Sequence, residues 1–134
     1  MGNTIKNPWH DPAIIKIPNS RKAIAITTVS NVKACFRTPK QGIIDIVKES
    51  YSLLKSVGAE PLAITNCLNF GNPENEKIMY QFKETVLGMK EICEELNFPV
   101  VSGNVSFYNE TSGTNIAPTP VVGAVGLIRD YRHA

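Results

Sequence analysis

Two short stretches of this 134-residue chain concentrate side chains suited to ligand chemistry. One is Thr65-Asn66 followed by Asn69-Phe70-Gly71-Asn72, and the other is Ser102-Gly103-Asn104 with Ser106. Carboxamide and hydroxyl oxygens are hard, uncharged ligands. They suit a Mg²⁺ ion whose charge is already largely met by phosphate, and glycine lets a phosphate approach the backbone. Read from composition alone, the same residues are also ordinary turn and cap formers. No other chemistry competes with them. P-loop, GxGxxG, GxSxG, HExxH and EF-hand patterns are absent, and the two histidines, His10 and His133, lie near the ends. Glu91, Glu94 and Glu95 read as a solvated helix face, so no catalytic pair of carboxylates emerges.

The surrounding pattern supplies elements to hold those stretches. Ala13–Ile17 and Ala23–Val29 are rich in β-branched residues and flank the turn residues Pro18-Asn19-Ser20, which predicts a strand pair. Thr38-Pro39-Lys40-Gln41 combines a Thr N-cap, Pro at N1 and Gln at N3, a capping box opening a helix that ends at Gly58. Ile43, Val47, Tyr51 and Leu54 form its apolar stripe. The run 61–66 then reads as a parallel strand of a βαβ unit. Asn72 and Pro73 predict an N-cap and N1 for a second helix over about 74–97, with Ile78, Phe82, Val86, Met89, Cys93 and Leu96 inward. Gly88 within it suggests a close contact with the sheet. Strands at 99–101 and 120–128 follow, separated by a loop over 108–119 rich in Asn, Ser, Gly, Thr and Pro.

The order is β-β-α-β-α-β-β: an α+β (α/β-like) fold, a mixed sheet with two helices on one face. Residues 1–22 read as an N-terminal arm with the first strand and turn, and 23–134 as a single domain. Two helices cover one side of a sheet, while 62–64, 100–101 and 121–128 are apolar at successive positions. The uncovered face therefore calls for a second copy or another domain.

Composition narrows the partners. Fourteen Lys+Arg against twelve Asp+Glu give +2, with Arg21-Lys22 the one adjacent basic pair, so nothing resembles a nucleic-acid stripe. No apolar run approaches the ~20 residues of a membrane-spanning helix. Cys35, Cys67 and Cys93 fit no metal or disulfide spacing and read as free thiols in a reducing, cytoplasmic setting.

Residues 58–74, GAEPLAITNCLNFGNPE, closely resemble phosphoribosylformylglycinamidine synthase, the ATP-dependent ligase of purine biosynthesis. So do residues 99–111, PVVSGNVSFYNET, followed by 118–123, PTPVVG. The likeness is to one part of that enzyme, the amino-terminal aminoimidazole-ribonucleotide-synthetase-like domain of its second repeat. It implies a fold similar to the amino-terminal domain of aminoimidazole ribonucleotide synthetase, in which such domains pair through their sheets. It implies ATP/ADP and Mg²⁺ as cofactors. A homodimer or a homologous partner domain, a carboxy-terminal synthetase domain and a glutaminase are the implied partners in the full enzyme. Carried over by position, Asn66 and Gly103 match nucleotide contacts, Asn104 a Mg²⁺ ligand and Ser106 a substrate contact. No catalytic residue carries over, because the family's histidine belongs to the first repeat, and the isolated chain is expected to be inactive.

Some positions depart from the family. Asn66 stands where Asp is usual, and Thr27-Thr28-Val29-Ser30-Asn31 where Thr-Thr-Asp-Cys-Asn is common. Gln41-Gly42-Ile43-Ile44 replaces a glycine-rich helix start that often carries Lys. The alternative expectation is therefore a non-catalytic dimerisation or scaffold module with a degenerate nucleotide site.

Overall fold

The computed structural model describes residues 2–5 and 10–134. Two antiparallel strands, β1 (Ala13–Lys16) and β2 (Ala23–Ser30), are followed by α1 (Val32–Arg37) and α2 (Pro39–Ser56). Next come β3 (Glu60–Asn69), α3 (Glu76–Leu96) and β4 (Val100–Ser106). A miniature hairpin, β5 (Glu110–Thr111) and β6 (Thr114–Asn115), precedes the long β7 (Thr119–Ile128). The main sheet has the order β1-β2-β7-β3-β4, in which the β3–β4 pair is parallel and the other neighbours are antiparallel. Both long helices lie on one face, as the sequence predicts. The predicted N-terminal arm runs partly through residues 6–9, which lie outside the described residues; Asn3 and Ile5 hydrogen-bond β1.

Alternation sorts the strands cleanly. Ile14, Ala25, Val29, Ile64, Leu68, Val122 and Ala124 point under the helices and are buried with Ile43, Ile46, Val47 and Leu54 of α2. On the opposite face Ile15, Ile26 and Val125 are 36–40% exposed, so that face is uncovered in the single chain.

Several local expectations give way to tighter solutions. The Thr38 side chain makes no cap bond, and Gln41 bonds Asp45 instead of closing a capping box. Thr38 is also the C-cap of the unpredicted α1, and its backbone N–H donates to the Ala34 carbonyl. That helix is announced by Asn31, whose side chain accepts from the Ala34 N–H, and it rests on Gly42. A Cβ at Gly42 would lie 2.8 Å from the Cys35 backbone. Gly88 likewise marks a close approach, but to α2 rather than to the sheet: a Cβ there would lie 2.7 Å from Ile43 Cγ2 and from the Lys40 carbonyl oxygen. Val86, expected inward, is exposed, while Thr85, Gly88 and Ile92 are buried. At the other end of α2, Gly58 terminates the helix as expected. With φ +75° it lets the Ala59 N–H reach the Leu54 carbonyl and its own N–H reach that of Lys55, a Schellman closure.

Candidate functional site

The polar stretches sit deeper in the sheet than their composition suggests. The strand expected to end at Asn66 continues to Asn69, and residues 102–106 belong to β4 rather than to a loop. Pairing overrides the weak strand preference of Asn, Ser and Gly, because β3 is bonded by β7 on one side and by β4 on the other.

Register then decides which side chains meet. Val29, Val122, Asn66 and Gly103 form one cross-strand row. Ser30, Val121, Cys67 and Asn104 form the next, and Asn69 pairs with Ser106 two positions on. Successive rows face opposite sides. The first row faces the helices, as Asn66 Nδ2 donating to Met89 Sδ of α3 at 3.3 Å attests. Asn104 and Ser106 belong to the uncovered face, along with Ser102, whose hydroxyl bonds Thr65 Oγ1 at 2.9 Å. The four predicted contacts are thus neighbours in the sheet, yet they divide into Asn66 with Gly103 on one side and Asn104 with Ser106 on the other.

Gly103 connects the two sides. A Cβ there would collide with Asn66 Oδ1 and with the Asn66 carbonyl oxygen, so the Asn66 carboxamide oxygen occupies the space over the glycine. That oxygen leans toward β4, the edge strand, whose residues 100–105 are exposed. A ligand lying along this edge meets Asn104 on one face and, across Gly103, the Asn66 oxygen on the other.

The tips of the strands are tied by amides. Asn69 Nδ2 donates to the Thr119 carbonyl at 2.9 Å, and the Phe70 N–H to the Ser106 carbonyl at 2.9 Å. The loop over 108–119 is not featureless: Ser112 and Gly113, both at positive φ, make the two-residue turn of the β5–β6 hairpin. Asn115 from that hairpin accepts from the Asn72 N–H at 2.8 Å and packs on Gly71, where a Cβ would come within 2.6 Å of it. This contact displaces the expected start of α3. Asn72 instead accepts from the Glu74 N–H within a turn, and Asn75 caps the helix three residues later through the Lys77 N–H. The Asn72 and Glu74 N–H groups are therefore already bonded within the chain.

The donor set tests the implied Mg²⁺. Thr65, Cys67, Asn69, Ser102, Asn104 and Ser106 offer neutral oxygens and one thiol, and among the described residues no three of His, Cys, Asp and Glu gather around a common point. Neutral oxygens of this kind are chemically compatible with a cation whose charge is already largely met by a triphosphate. The departures from the family are also placed: Val29 is buried in the helix-covered core, and Gln41 is exposed. Cys35 is fully buried, and desolvation together with the nearby Asp45 charge pushes its thiol up to about 11. Burial also raises the Cys93 thiol.

Residues 9–128 match the family model for AIR synthase related protein, N-terminal domain. The chain belongs to this family. It is 50% identical over 133 residues to the phosphoribosylformylglycinamidine synthase subunit PurL of Pelagibacter ubique, covering 99% of this chain and 18% of that protein. PurL of T. maritima complexed with ATP superposes with a TM-score of 0.86 at 35% identity, over 94% of this chain and 21% of the other. The same protein complexed with FGAR gives 0.81 at 36% identity, over 87% and 19%. The chain therefore spans under a fifth of the curated relative's length. The AIR synthase related fold is the one the family resemblance implies, and the observed element order adds one short helix and one hairpin to the order read from the sequence pattern. Among the described residues no helix is long and apolar enough to cross a membrane.

Proposed function

We propose that this chain acts as one domain of an ATP-dependent formylglycinamidine ribonucleotide synthase in the cytoplasm. That enzyme moves the terminal phosphoryl group of ATP onto the amide oxygen of formylglycinamide ribonucleotide. Ammonia, released from glutamine by a glutaminase, then attacks the amide carbon, and phosphate leaves to give the amidine. In this reading the free edge of β4 is the ligand edge. Asn104 Oδ1 holds one position of a nucleotide-borne Mg²⁺, Gly103 and the Asn66 oxygen above it contact nucleotide, and Ser106 contacts substrate. Mg²⁺ bound there would offset charge on the phosphates during transfer.

The observation that carries the proposal is the register of β3 on β4. It sets two amides and a hydroxyl around a glycine on an exposed edge, in a chain 35% identical to a protein complexed with ATP. In this reading the isolated chain does not turn over, and catalysis needs the carboxy-terminal synthetase domain and the glutaminase. The uncovered sheet face, with Ile15, Ile26 and Val125, suits pairing with a second copy or a homologous domain.

The test is a calorimetric titration with ADP and Mg²⁺. Binding that weakens about ten-fold in Asn104→Ala is expected; unchanged binding in that variant, or none in the wild type, contradicts the assignment. The second outcome would favour a scaffold module without nucleotide. That reading draws on Asn66, whose amide nitrogen is taken by Met89, and on Val29, which is buried where the family commonly has Asp.

A further inference from the structure

The environment of Ser106 fixes which partner its hydroxyl can take. Asn109 Nδ2 lies 3.0 Å from the Phe70 carbonyl oxygen and 3.0 Å from Ser106 Oγ. A carboxamide nitrogen has two hydrogens and accepts nothing, so with one hydrogen on the Phe70 carbonyl the other goes to Ser106 Oγ. Turning the amide over would set Oδ1 against the Phe70 carbonyl oxygen, two acceptors face to face, so the orientation is imposed by the backbone. That backbone is itself held: the Asn109 N–H donates to Phe70 at 3.3 Å, the Asn109 carbonyl accepts from the Ile116 N–H at 3.0 Å, and the Ser106 carbonyl accepts from the Phe70 N–H. Ser106 Oγ is therefore an acceptor toward Asn109, and its own proton is directed elsewhere.

We propose that Asn109 is a positioning residue that keeps the Ser106 hydroxyl as a hydrogen-bond donor, so that the site selects an acceptor oxygen on the bound ribonucleotide. The inference rests on the substrate contact assigned to Ser106 above. Replacing Asn109 by the isosteric Asp inverts the arrangement, because a carboxylate accepts the Ser106 proton and withdraws it from the ligand.

A double-mutant cycle tests this in the intact protein that carries the chain, with the Kd for formylglycinamide ribonucleotide as readout and thermal melting as the folding control. Ser106→Ala and Asn109→Asp are each expected to weaken binding about ten-fold, the scale of one lost bond to a polar ligand. The double variant is expected to bind no worse than Asn109→Asp alone. If Asn109→Asp does not fold, Asn109→Ala takes its place, and its smaller loss must likewise vanish in the Ser106→Ala background. Losses that multiply, or an Asn109 variant that folds and binds like wild type, overturn the inference while leaving the proposed function intact. A wild-type protein that does not bind the ribonucleotide overturns both.

Discussion

The two faces of the β3–β4–β7 sheet are written in the same strands yet obey different rules. Under the helices, Ile64, Leu68, Val122 and Ala124 are fixed by packing, and almost any polar replacement would meet apolar neighbours. On the other face Thr65, Ser102, Asn104 and Ser106 lie beside the open Val125, and no packing against the helices fixes their identities. The comparison teaches where to look for function: the residues that packing does not explain are the amides and hydroxyls of the open face and its β4 edge. Asn66 is the exception, a polar side chain on the packed side, and its oxygen leans over Gly103 toward the same edge.

The contrast predicts unequal costs. Ile64→Ala, which empties a site 1% exposed, is expected to lower stability by about 2–5 kcal/mol. Val125→Ala on the other face is expected to cost within about 1 kcal/mol. Denaturant unfolding of both variants measures the difference. A Val125 cost equal to that of Ile64 would mean that a partner covers the open face, which size-exclusion chromatography would then report.

Gly103→Ala sharpens the picture at the boundary between the faces. Its Cβ must displace the Asn66 carboxamide and backbone, so a loss of about 1–3 kcal/mol is expected. Asn66→Gly removes the side chain but not the carbonyl, so the double variant should recover part of that loss.

A smaller effect belongs to pH. The Cys35 thiol is raised from 9.0 to about 11 in the folded chain, so the unfolded chain loses its proton first. The contribution is fully present below about pH 9 and is lost as pH rises through 11. Stability measured across that window should fall in the wild type and fall less in Cys35→Ala. Least of all should matter the Arg129–Glu60 pair at 3.1 Å, at the far end of the sheet. Both side chains are exposed, and Arg129→Ala is expected to change stability by about 0.5 kcal/mol or less in the same unfolding assay.

Much of this was readable from the chain. The periodicity over 43–54 and the turn at Pro18-Asn19-Ser20 specify their elements locally, and both form. The order of elements carried the α+β class, and the family likeness carried the particular fold. What stayed hidden depends on neighbours distant in sequence. Asn72 looks like a helix cap until Asn115, 43 residues on, takes its backbone N–H. Thr38 looks like the start of a capping box until the short helix ending at Arg37 uses its N–H. Asn66 and Asn104 look like parts of one cluster until strand pairing sets them in adjacent rows that face apart. Composition shows that amides are abundant; only register shows which side each one serves.

The most direct test of the account is backbone amide NMR during a titration with ADP and Mg²⁺. Shifts centred on residues 102–106 and 65–69, with Glu60 and Arg129 unmoved, are the predicted result. Shifts centred on the exposed groove of α3 around Met79, Tyr80 and Val86, with β4 silent, would contradict it.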